Sequence, residues 1–447
     1  MPSLSIQNFG CRVNQAEAFA WAEAFRKGGL RLEDDSARSD FVLVNSCTLT
    51  GRADRDVRKF IQKISRENPA AKLVVTGCYA ERARHEIETI PQVLLVVPNN
   101  EKTGLPDKML ALVGMTGSDE RAEPGMADPE DFAFRSRALL KIQDGCDDRC
   151  TFCVIPSVRG RSASLGEGHV LARVRDLVRA GYREVVLAGI HLSSYGEDLE
   201  PRGSLLGLLR MIENVEGLGR IRLSSLDPRR TDGALVAHIA GNPKVCQHFH
   251  LSLQHASSRV LEKMGRSAGP EVYRSILSDL KGRSPGASLG ADVIAGFPGE
   301  TDDDFALLEE FLSGSPLTYF HVFSYSPRAG TPAAARPQVP ERLTKERSRA
   351  LRKLSAEKNL RFRASFLGQT LEAVVIGRGA GGLRQAEKEG PGLALEGRAG
   401  KGEFTELLTG NYIRVHVPSC PAPRRETVRV RVTRVSQRST EGEVVRT

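Results

Sequence analysis

The segment Cys146-Asp147-Asp148-Arg149-Cys150-Thr151-Phe152-Cys153 places three cysteines within eight residues, in the spacing C-x3-C-x2-C. Three thiolates this close together can hold one small inorganic cluster. A four-iron cluster held by three cysteines has one iron without a protein ligand, and that iron can bind a substrate. A structural zinc site needs four ligands, and the next cysteine, Cys246, lies 93 residues further on. A zinc site completed by a distant histidine is the alternative, whereas a disulfide would leave one thiol over.

The chain around this motif predicts six strand–helix units. The candidate strands cover residues 137–143, 184–189, 220–225, 248–253, 287–295 and 319–325. Six such units predict an open, partial (β/α)6 barrel with its chemistry at the carboxyl ends of the strands. The cysteine motif follows the first of these strands directly, as that rule requires.

The first third of the chain alternates short apolar runs with helical patterns, which predicts a doubly wound parallel sheet. Its strands are predicted at residues 4–9, 41–45, 72–76 and 93–97. Cys11, Cys47 and Cys78 follow the first three of these strands within two residues. Ligands bind at the carboxyl ends of such strands, so the three thiols are predicted to form a second open three-cysteine site. For each cysteine alone, a buried structural thiol is the alternative.

The motif C-x3-C-x2-C, with the aromatic Phe152 directly before the last cysteine, resembles the signature of radical S-adenosylmethionine (SAM) enzymes. The resemblance implies that Cys146, Cys150 and Cys153 hold a [4Fe-4S] cluster and form the catalytic centre. In that family SAM chelates the open iron, and an electron from the cluster splits SAM to a 5′-deoxyadenosyl radical that abstracts hydrogen from the substrate. It therefore implies an electron donor, of flavodoxin or ferredoxin type.

Three further segments resemble the amino-terminal domain of methylthiotransferases. They are Gly10-Cys-Arg-Val-Asn-Gln15 followed by Glu17, Asn45-Ser-Cys-Thr48, and Thr76-Gly-Cys-Tyr79. In that family the domain carries an auxiliary [4Fe-4S] cluster that delivers the sulfur, which implies Cys11, Cys47 and Cys78 as its ligands. The residues after Cys11 are most similar to the branch that acts on N6-threonylcarbamoyladenosine in tRNA. Branches acting on isopentenyl-adenosine in tRNA or on a ribosomal-protein aspartate are the alternatives.

Segments after three of the barrel strands also resemble family motifs, and we predict that they bind SAM. The expected contacts are Phe152, Gly189, Ser225, Asp292 and Gly296. Gly189 would let the backbone approach the ligand closely, and Gly296 suits a turn under the adenine. Ser225 lies where hydroxyl and carboxylate groups are available for the ribose or the amino-acid end of SAM. A plain turn or helix cap is the alternative for each glycine and serine.

Two places depart from the family pattern. His255-Ala256 stands where relatives have Ser-Gly, and the run Arg159-Gly-Arg-Ser162 lacks a further arginine. We expect His255 to be a packed or surface histidine rather than a new polar contact. Neither departure involves a cysteine, so they bear on substrate fit more than on the reaction.

From residue 368 onward the pattern changes to short alternating strands, predicted at 370–376, 404–408, 412–417 and 427–435. They predict a small antiparallel barrel, which resembles the TRAM domain of RNA-modifying enzymes. Five arginines are predicted to lie on its outside as a phosphate-binding surface: Arg424, Arg425, Arg429, Arg431 and Arg434. The basic helix predicted before it, at 340–366, suits either solvent or RNA contact. Cys246 and Cys420 have no partner by spacing and are interpreted as structural.

Composition agrees with an intracellular protein, and its modest basic excess suits a polyanionic partner, with an ordinary basic surface as the alternative. The net charge is +9, with a sequence pI of about 9.2. The first ten residues lack a charged segment and a long apolar run, so we expect no signal peptide. No apolar run approaches the length of a membrane span, which predicts a cytoplasmic protein with no membrane partner. Eight cysteines in such a chain indicate metal binding or catalysis more than disulfides.

These features predict an α/β protein of several domains. The boundaries are 1–113 for the amino-terminal domain, 114–135 for a linker, 136–330 for the radical SAM core, 331–367 for a basic connector and 368–447 for the TRAM-like domain. The resemblance implies a methylthiotransferase that uses two [4Fe-4S] clusters and SAM to modify adenosine 37 of tRNA at C2. A non-catalytic iron–sulfur or zinc protein that binds RNA is the alternative from another class.

Overall fold

The computed structural model describes residues 2–114, 136–379 and 404–445. The first range forms a five-stranded, wholly parallel sheet in the order β2-β1-β3-β4-β5. Its strands are β1 (Ser3–Asn8), β2 (Arg31–Leu32), β3 (Phe41–Ser46), β4 (Lys72–Gly77) and β5 (Val93–Val97). Its helices are α1 (Arg12–Lys27), α2 (Gly51–Glu67), α3 (Cys78–Arg82), α4 (Arg84–Glu88) and α5 (Leu105–Leu112). The doubly wound sheet predicted from the alternating pattern is confirmed.

Helix α1 belongs to two cores at once. Trp21 and Phe25 pack into the amino-terminal sheet. Val13, Ala16 and Phe19 lie on another side of the helix and join the core of the next unit. The helix therefore fixes the amino-terminal sheet directly against the barrel that follows.

That next unit is an open barrel of six parallel strands. One three-stranded sheet has the order β10-β9-β6, and another has the order β11-β12-β13. The bridges Ile221–Val245 and Leu226–Leu251 connect the two sheets. The strands are β6 (Ala138–Lys141), β7 (Gln143–Asp144), β8 (Ala163–Ser164), β9 (Glu184–Ala188), β10 (Arg220–Leu223), β11 (His248–Gln254), β12 (Ser288–Ala295) and β13 (Tyr319–Ser324), of which β7 and β8 form a separate hairpin. The partial barrel predicted from six strand–helix units is confirmed.

The helices of this unit cover the outside of the barrel, except for the short α6 (Ile155–Arg159), which contacts α3 of the first unit. The others are α7 (Glu167–Arg179), α8 (Leu205–Ile212), α9 (Gly233–Gly241), α10 (Ser258–Lys263), α11 (Pro270–Arg283), α12 (Asp302–Gly314) and α13 (Glu341–Ala364). Helix α13 is the predicted basic helix, and part of its charge is internal. Arg347 is buried against Glu300, and Arg363 donates to the backbone of Ser436 and Ser439 in the last unit. Those two arginines hold the protein together rather than face solvent.

The last unit is a closed five-stranded barrel in the order β14-β15-β16-β18-β17. Its strands are β14 (Thr370–Gly379), β15 (Phe404–Thr409), β16 (Arg414–Val417), β17 (Thr427–Val435) and β18 (Thr440–Val445). The pairs are antiparallel except β16–β18, so the predicted small barrel is confirmed. Strand β18 was not predicted, because Thr440-Glu-Gly-Glu lacks an alternating apolar pattern.

The turn between β15 and β16 is seated against the six-stranded barrel. Arg222 of β10, which is fully buried, donates to the carbonyls of Thr409 and Gly410 at 3.2 and 3.1 Å. Asn411 in the same turn donates to the carbonyl of Gly286 at 3.2 Å. The carboxyl-terminal barrel is therefore docked on the six-stranded barrel. Within the described ranges, no helix is both long and apolar enough to cross a membrane.

Candidate active site

Cys11, Cys47 and Cys78 meet at the carboxyl edge of the amino-terminal sheet. They follow β1, β3 and β4, which are three neighbouring strands of the sheet; β2 lies on the other side of β1. Gly10 has a φ of +102°, and a Cβ atom there would lie 2.7 Å from the Sγ atom of Cys47. Only glycine allows the chain entering Cys11 to pass so close to Cys47. The predicted convergence of three distant cysteines is therefore present in the fold.

The charge state of these thiols suits a metal cluster. Burial, together with the neighbouring thiols of Cys11 and Cys78, raises the pKa of Cys47 to about 12. Thiolates placed this close repel one another, so all three can be deprotonated together only when a cation binds them. Cys47 and Cys78 are buried, while Cys11 is exposed. The three residues thus fit an iron–sulfur cluster that is accessible from the side of Cys11.

Cys146, Cys150 and Cys153 lie in the loop that follows the first barrel strand. Gly145 has a φ of +65°, and a Cβ atom there would lie 1.9 Å from the carbonyl oxygen of Arg161. Burial and the other thiols of the loop raise the pKa of Cys146 to about 11 and that of Cys153 to about 12. All three are partly exposed, so this set also fits a cluster with an open face.

The short helix α6 connects the two cysteine sets. Near its start, the backbone N–H of Ile155 donates to the Sγ atom of Cys153 at 3.5 Å. At its end, the Nε–H of Arg159 donates to the Sγ atom of Cys78 at 3.1 Å. Cys78, Val154 and Val158 also pack together in one buried apolar cluster. The two sets are therefore adjacent, which the reaction implied by the resemblance requires.

Arg159 is the centre of a buried charge network behind the auxiliary set. Its side chain is 1% exposed and donates to Glu17 at 3.2 Å and to Asp144 at 2.8 Å. Lys102 and Lys141 also contact Glu17, at 2.7 and 3.2 Å. Burial alone would raise the pKa of the Glu17 carboxyl, but these cations hold it well below its usual range. Three cations against two carboxylates leave a positive excess beside the thiols, and the charge of Arg159 partly opposes the rise that burial causes in the pKa of Cys11 and of Cys47.

A second polar cluster lies beside Cys150 at the mouth of the barrel. His191 Nε2 is 3.3 Å from both Asp148 Oδ2 and Asp227 Oδ2. Arg229 and Arg266 pair with Asp227 at 2.7 and 3.0 Å. Although burial acts to lower it, the pKa of His191 is raised by these two carboxylates. Fixed charges of both signs at this place suit a zwitterionic group such as the amino-acid end of SAM.

The five residues predicted from the sequence to contact SAM are spread along the barrel. Phe152 packs edge-on against Phe297, with ring centroids 6.3 Å apart. A Cβ atom at Gly189 would be 3.1 Å from Gln143 Oε1, and one at Gly296 would be 2.2 Å from Thr344 Oγ1. Neighbouring protein atoms thus account for both glycines. Ser225 follows β10 near the mouth, whereas Asp292 lies inside the barrel beside His250 and His321. Their contacts with SAM stay predictions.

The carboxyl-terminal arginines do not all lie on the surface. Arg424, Arg429, Arg431 and Arg434 are exposed. Arg425 is buried: its guanidinium lies 4.2 Å from the ring centroid of Tyr182 and donates to the carbonyl of Ala180 at 3.2 Å. Its expected place on the outside is therefore wrong: its backbone has a φ of +77°, and its side chain packs against the six-stranded unit. Four arginines form the exposed basic surface.

Sequence reasoning missed several residues of the site. Arg159 was noted only as part of the run Arg159-Gly-Arg-Ser162. Lys102 and Lys141, which contact Glu17, carried no signal because they lie far from Glu17 in the sequence. Asp148 could have been found, since it lies between two of the motif cysteines. His255 is fully buried, with its Nδ1 atom accepting from the backbone N–H of Ser257 at 3.0 Å, so it is a packed histidine as expected. Cys246 and Cys420 are buried too.

Comparison with known proteins gives two family matches and close relatives. The radical SAM superfamily matches residues 140–312, and Uncharacterized protein family UPF0004 matches residues 3–98. A Bacillus subtilis protein named threonylcarbamoyladenosine tRNA methylthiotransferase MtaB is 32% identical over 97% of both chains. An Aquifex aeolicus protein of the same name is 36% identical over 83% of this chain and 92% of its own.

Other similarities concern a second substrate branch and the fold. A Pelotomaculum thermopropionicum protein named tRNA-2-methylthio-N(6)-dimethylallyladenosine synthase is 33% identical over 85% of this chain and 89% of its own. Among solved structures, the radical SAM methyltransferase TsrM from Kitasatospora setae has a TM-score of 0.53 at 17% identity. That match covers 74% of this chain and 76% of TsrM. The likeness to TsrM supports the fold alone.

Proposed function

Because the chain belongs to the radical SAM methylthiotransferase family, we propose that it inserts a methylthio group at C2 of N6-threonylcarbamoyladenosine 37 in tRNA. One observation carries the proposal: two three-cysteine sites are joined by one helix, with Cys153 at its start and Arg159 on Cys78 at its end. Sulfur delivery and hydrogen abstraction must act on the same carbon, so the two sites have to be adjacent.

The family implies SAM and one [4Fe-4S] cluster, which Cys146, Cys150 and Cys153 fit. We assign a second cluster to Cys11, Cys47 and Cys78. Bound there, the two clusters would supply sulfur at one site and the hydrogen-abstracting radical from SAM at the other. The protein's own residues orient these groups. Arg159 holds the auxiliary site against α6, and Asp148, His191 and Asp227 present fixed charges beside Cys150. The proposal includes a flavodoxin- or ferredoxin-type electron donor and a cytoplasmic location, where tRNA is modified.

Modification of adenosine in tRNA requires contacts with the phosphate backbone, and we assign these to the exposed arginines. We expect that replacing Arg429, Arg431 and Arg434 together by alanine weakens tRNA binding and reduces the slope of log affinity against log salt by about 3. A salt titration of tRNA binding measures this. Arg179→Ala, which removes another exposed arginine, is the control. An unchanged slope in the triple variant would remove this surface from the interface. Substitution is a cleaner test than deletion, because the turn at Thr409 is docked on the core.

The function itself is tested by mass spectrometry of tRNA nucleosides from cells that lack the protein and from the same cells after its return. We expect 2-methylthio-N6-threonylcarbamoyladenosine to disappear and N6-threonylcarbamoyladenosine to accumulate, and both changes to reverse on restoration. If only the dimethylallyl nucleoside loses its methylthio group, the substrate is that of the second branch. If neither nucleoside changes, the proposed function is wrong.

A further inference from the structure

Three titratable side chains that belong to neither cysteine set face one another inside the six-stranded barrel. His250 Nε2 is 3.0 Å from Asp292 Oδ1, and His321 Nδ1 is 3.2 Å from the same oxygen. The residues lie in the middle of β11, β12 and β13. His250 pairs with Gly290 and Asp292 pairs with His321, so all three side chains project from the same face of the sheet. We call these three residues the lumen floor.

The lumen floor is held in place from behind. The hydroxyl of Tyr319 is 3.0 Å from His250 Nδ1 and 2.7 Å from His248 Nε2. A Cβ atom at Gly290 would lie 2.3 Å from Tyr319 Cζ and 2.6 Å from His250 Nδ1, so only glycine leaves room for that contact. Below them, the ring of Tyr412 stacks on His248 with centroids 4.2 Å apart. The floor is thus a fixed arrangement closed off by the carboxyl-terminal barrel.

The lumen floor lies directly beneath the mouth of the barrel. Ser252, two residues beyond His250 on the same strand, accepts at its carbonyl from Arg266 at 2.8 Å. Arg266 in turn pairs with Asp227 in the polar cluster beside Cys150. Asp292 and His321 remain 23% and 29% exposed although they lie in mid-strand, so they border open space inside the barrel. A group that enters the mouth meets them.

We propose that the lumen floor binds the polar substituent on N6 of the adenine, an inference that rests on the proposed function and that gives Asp292 this role in place of the SAM contact expected from the sequence. Threonylcarbamoyl carries ureido N–H groups, a hydroxyl and a carboxylate. Asp292 can accept hydrogen bonds from the N–H and hydroxyl groups, and His321 offers a ring nitrogen to the same substituent. Arg12, next to Cys11, donates to the hydroxyl of Tyr412 beneath the floor, with its guanidinium 5.5 Å from the centroid of that ring.

A dimethylallyl substituent fits the same floor badly. It has no hydrogen-bond donor or acceptor, yet it would take water away from the Asp292 carboxylate and the His321 imidazole, whereas both ring nitrogens of His250 already have protein partners. Leaving such buried polar groups without partners is costly, and sites built for hydrogen bonds reject apolar analogues strongly. The lumen floor therefore selects threonylcarbamoyl over dimethylallyl, which separates the two substrate branches represented among the relatives.

The test compares two tRNAs, one with threonylcarbamoyl-adenosine and one with dimethylallyl-adenosine, using anaerobically reconstituted full-length protein. We expect the wild type to prefer the first. His321→Phe, which keeps a ring but loses its polar atoms, should raise KM for that tRNA about tenfold to hundredfold and reduce the preference by a similar factor. His321→Gln, which restores hydrogen bonding, should recover part of the preference. His169→Phe, on the exposed surface of α7, is the matched control.

The possible outcomes distinguish a failure of the proposed function from a failure of the lumen floor as the binding site. If the wild type acts only on the dimethylallyl tRNA, the proposed function and this inference both fail. If the wild type prefers the threonylcarbamoyl tRNA and His321→Phe keeps that preference unchanged, the lumen floor is not the binding site. Deoxyadenosine formed without tRNA reports on the SAM site alone. Its loss in His321→Phe would assign this side chain to SAM and overturn the inference.

Discussion

Replacing Cys47 by alanine is expected to abolish the methylthiolated nucleoside while deoxyadenosine continues to form from SAM. Cys47 is buried between Gly10 and the other auxiliary thiols, so its loss removes one of three ligands from that set alone. Cys146, Cys150 and Cys153 lie in a different unit of the fold and keep their own loop intact. The measurement is chromatography of deoxyadenosine and of tRNA nucleosides after reaction with SAM, dithionite and threonylcarbamoyl-adenosine tRNA.

The reciprocal variant is the control. Changing Cys146, Cys150 and Cys153 together to alanine should abolish deoxyadenosine and reduce iron from about eight to about four atoms per chain. Full methylthiolation by Cys47→Ala would contradict the division of roles between the two sets. So would the loss of all iron from the triple variant, because the auxiliary site would then depend on the other one.

Replacing Arg159 by glutamine is expected to lower the free energy of unfolding by about 3–5 kcal/mol, because it leaves buried carboxylates with less compensating charge. It also removes the donor to the Sγ atom of Cys78, so the iron content should fall toward that of a single cluster. Denaturant unfolding and iron analysis of the purified protein measure the two effects.

Arg161→Gln is the matched control for this variant. Arg161 lies two residues further on, is 92% exposed and forms a surface ion pair with Asp147. Surface pairs of this kind contribute little to stability, so this variant should behave like the wild type. If Arg159→Gln retains full stability and full iron, the buried network does not support the auxiliary site.

The architecture follows from the sequence because its patterns are local. Strand–helix alternation predicts both parallel sheets, and cysteines that follow strands predict that distant thiols meet at one sheet edge. The valines of β17 likewise predict one inward face, and Val430 and Val432 are fully buried there.

What the sequence did not predict depends on contacts between distant units. Arg159 reaches Cys78 across 81 positions, and Lys102 reaches Glu17 across 85. The burial of Arg425 against Tyr182 has the same origin, since a local arginine-rich pattern does not show which members face another unit. Of the lumen floor, the sequence singled out only Asp292, as a contact for SAM. His250, Asp292 and His321 lie on three strands, and their convergence depends on the register between those strands.

The central claim is that two adjacent sites act on one adenosine, and the resemblance to methylthiotransferases implies one SAM for each: one gives its methyl group to sulfur at the auxiliary site, and the other is split to the radical at the second site. The most direct measurement counts the products formed by the wild-type protein, reconstituted anaerobically and given SAM, reductant and threonylcarbamoyl-adenosine tRNA. The account predicts one S-adenosylhomocysteine from methyl transfer to sulfur and one 5′-deoxyadenosine from radical formation for each methylthiolated nucleoside. Methylthiolated tRNA formed with only one of these two products, or both products formed with no change in the tRNA, would contradict it.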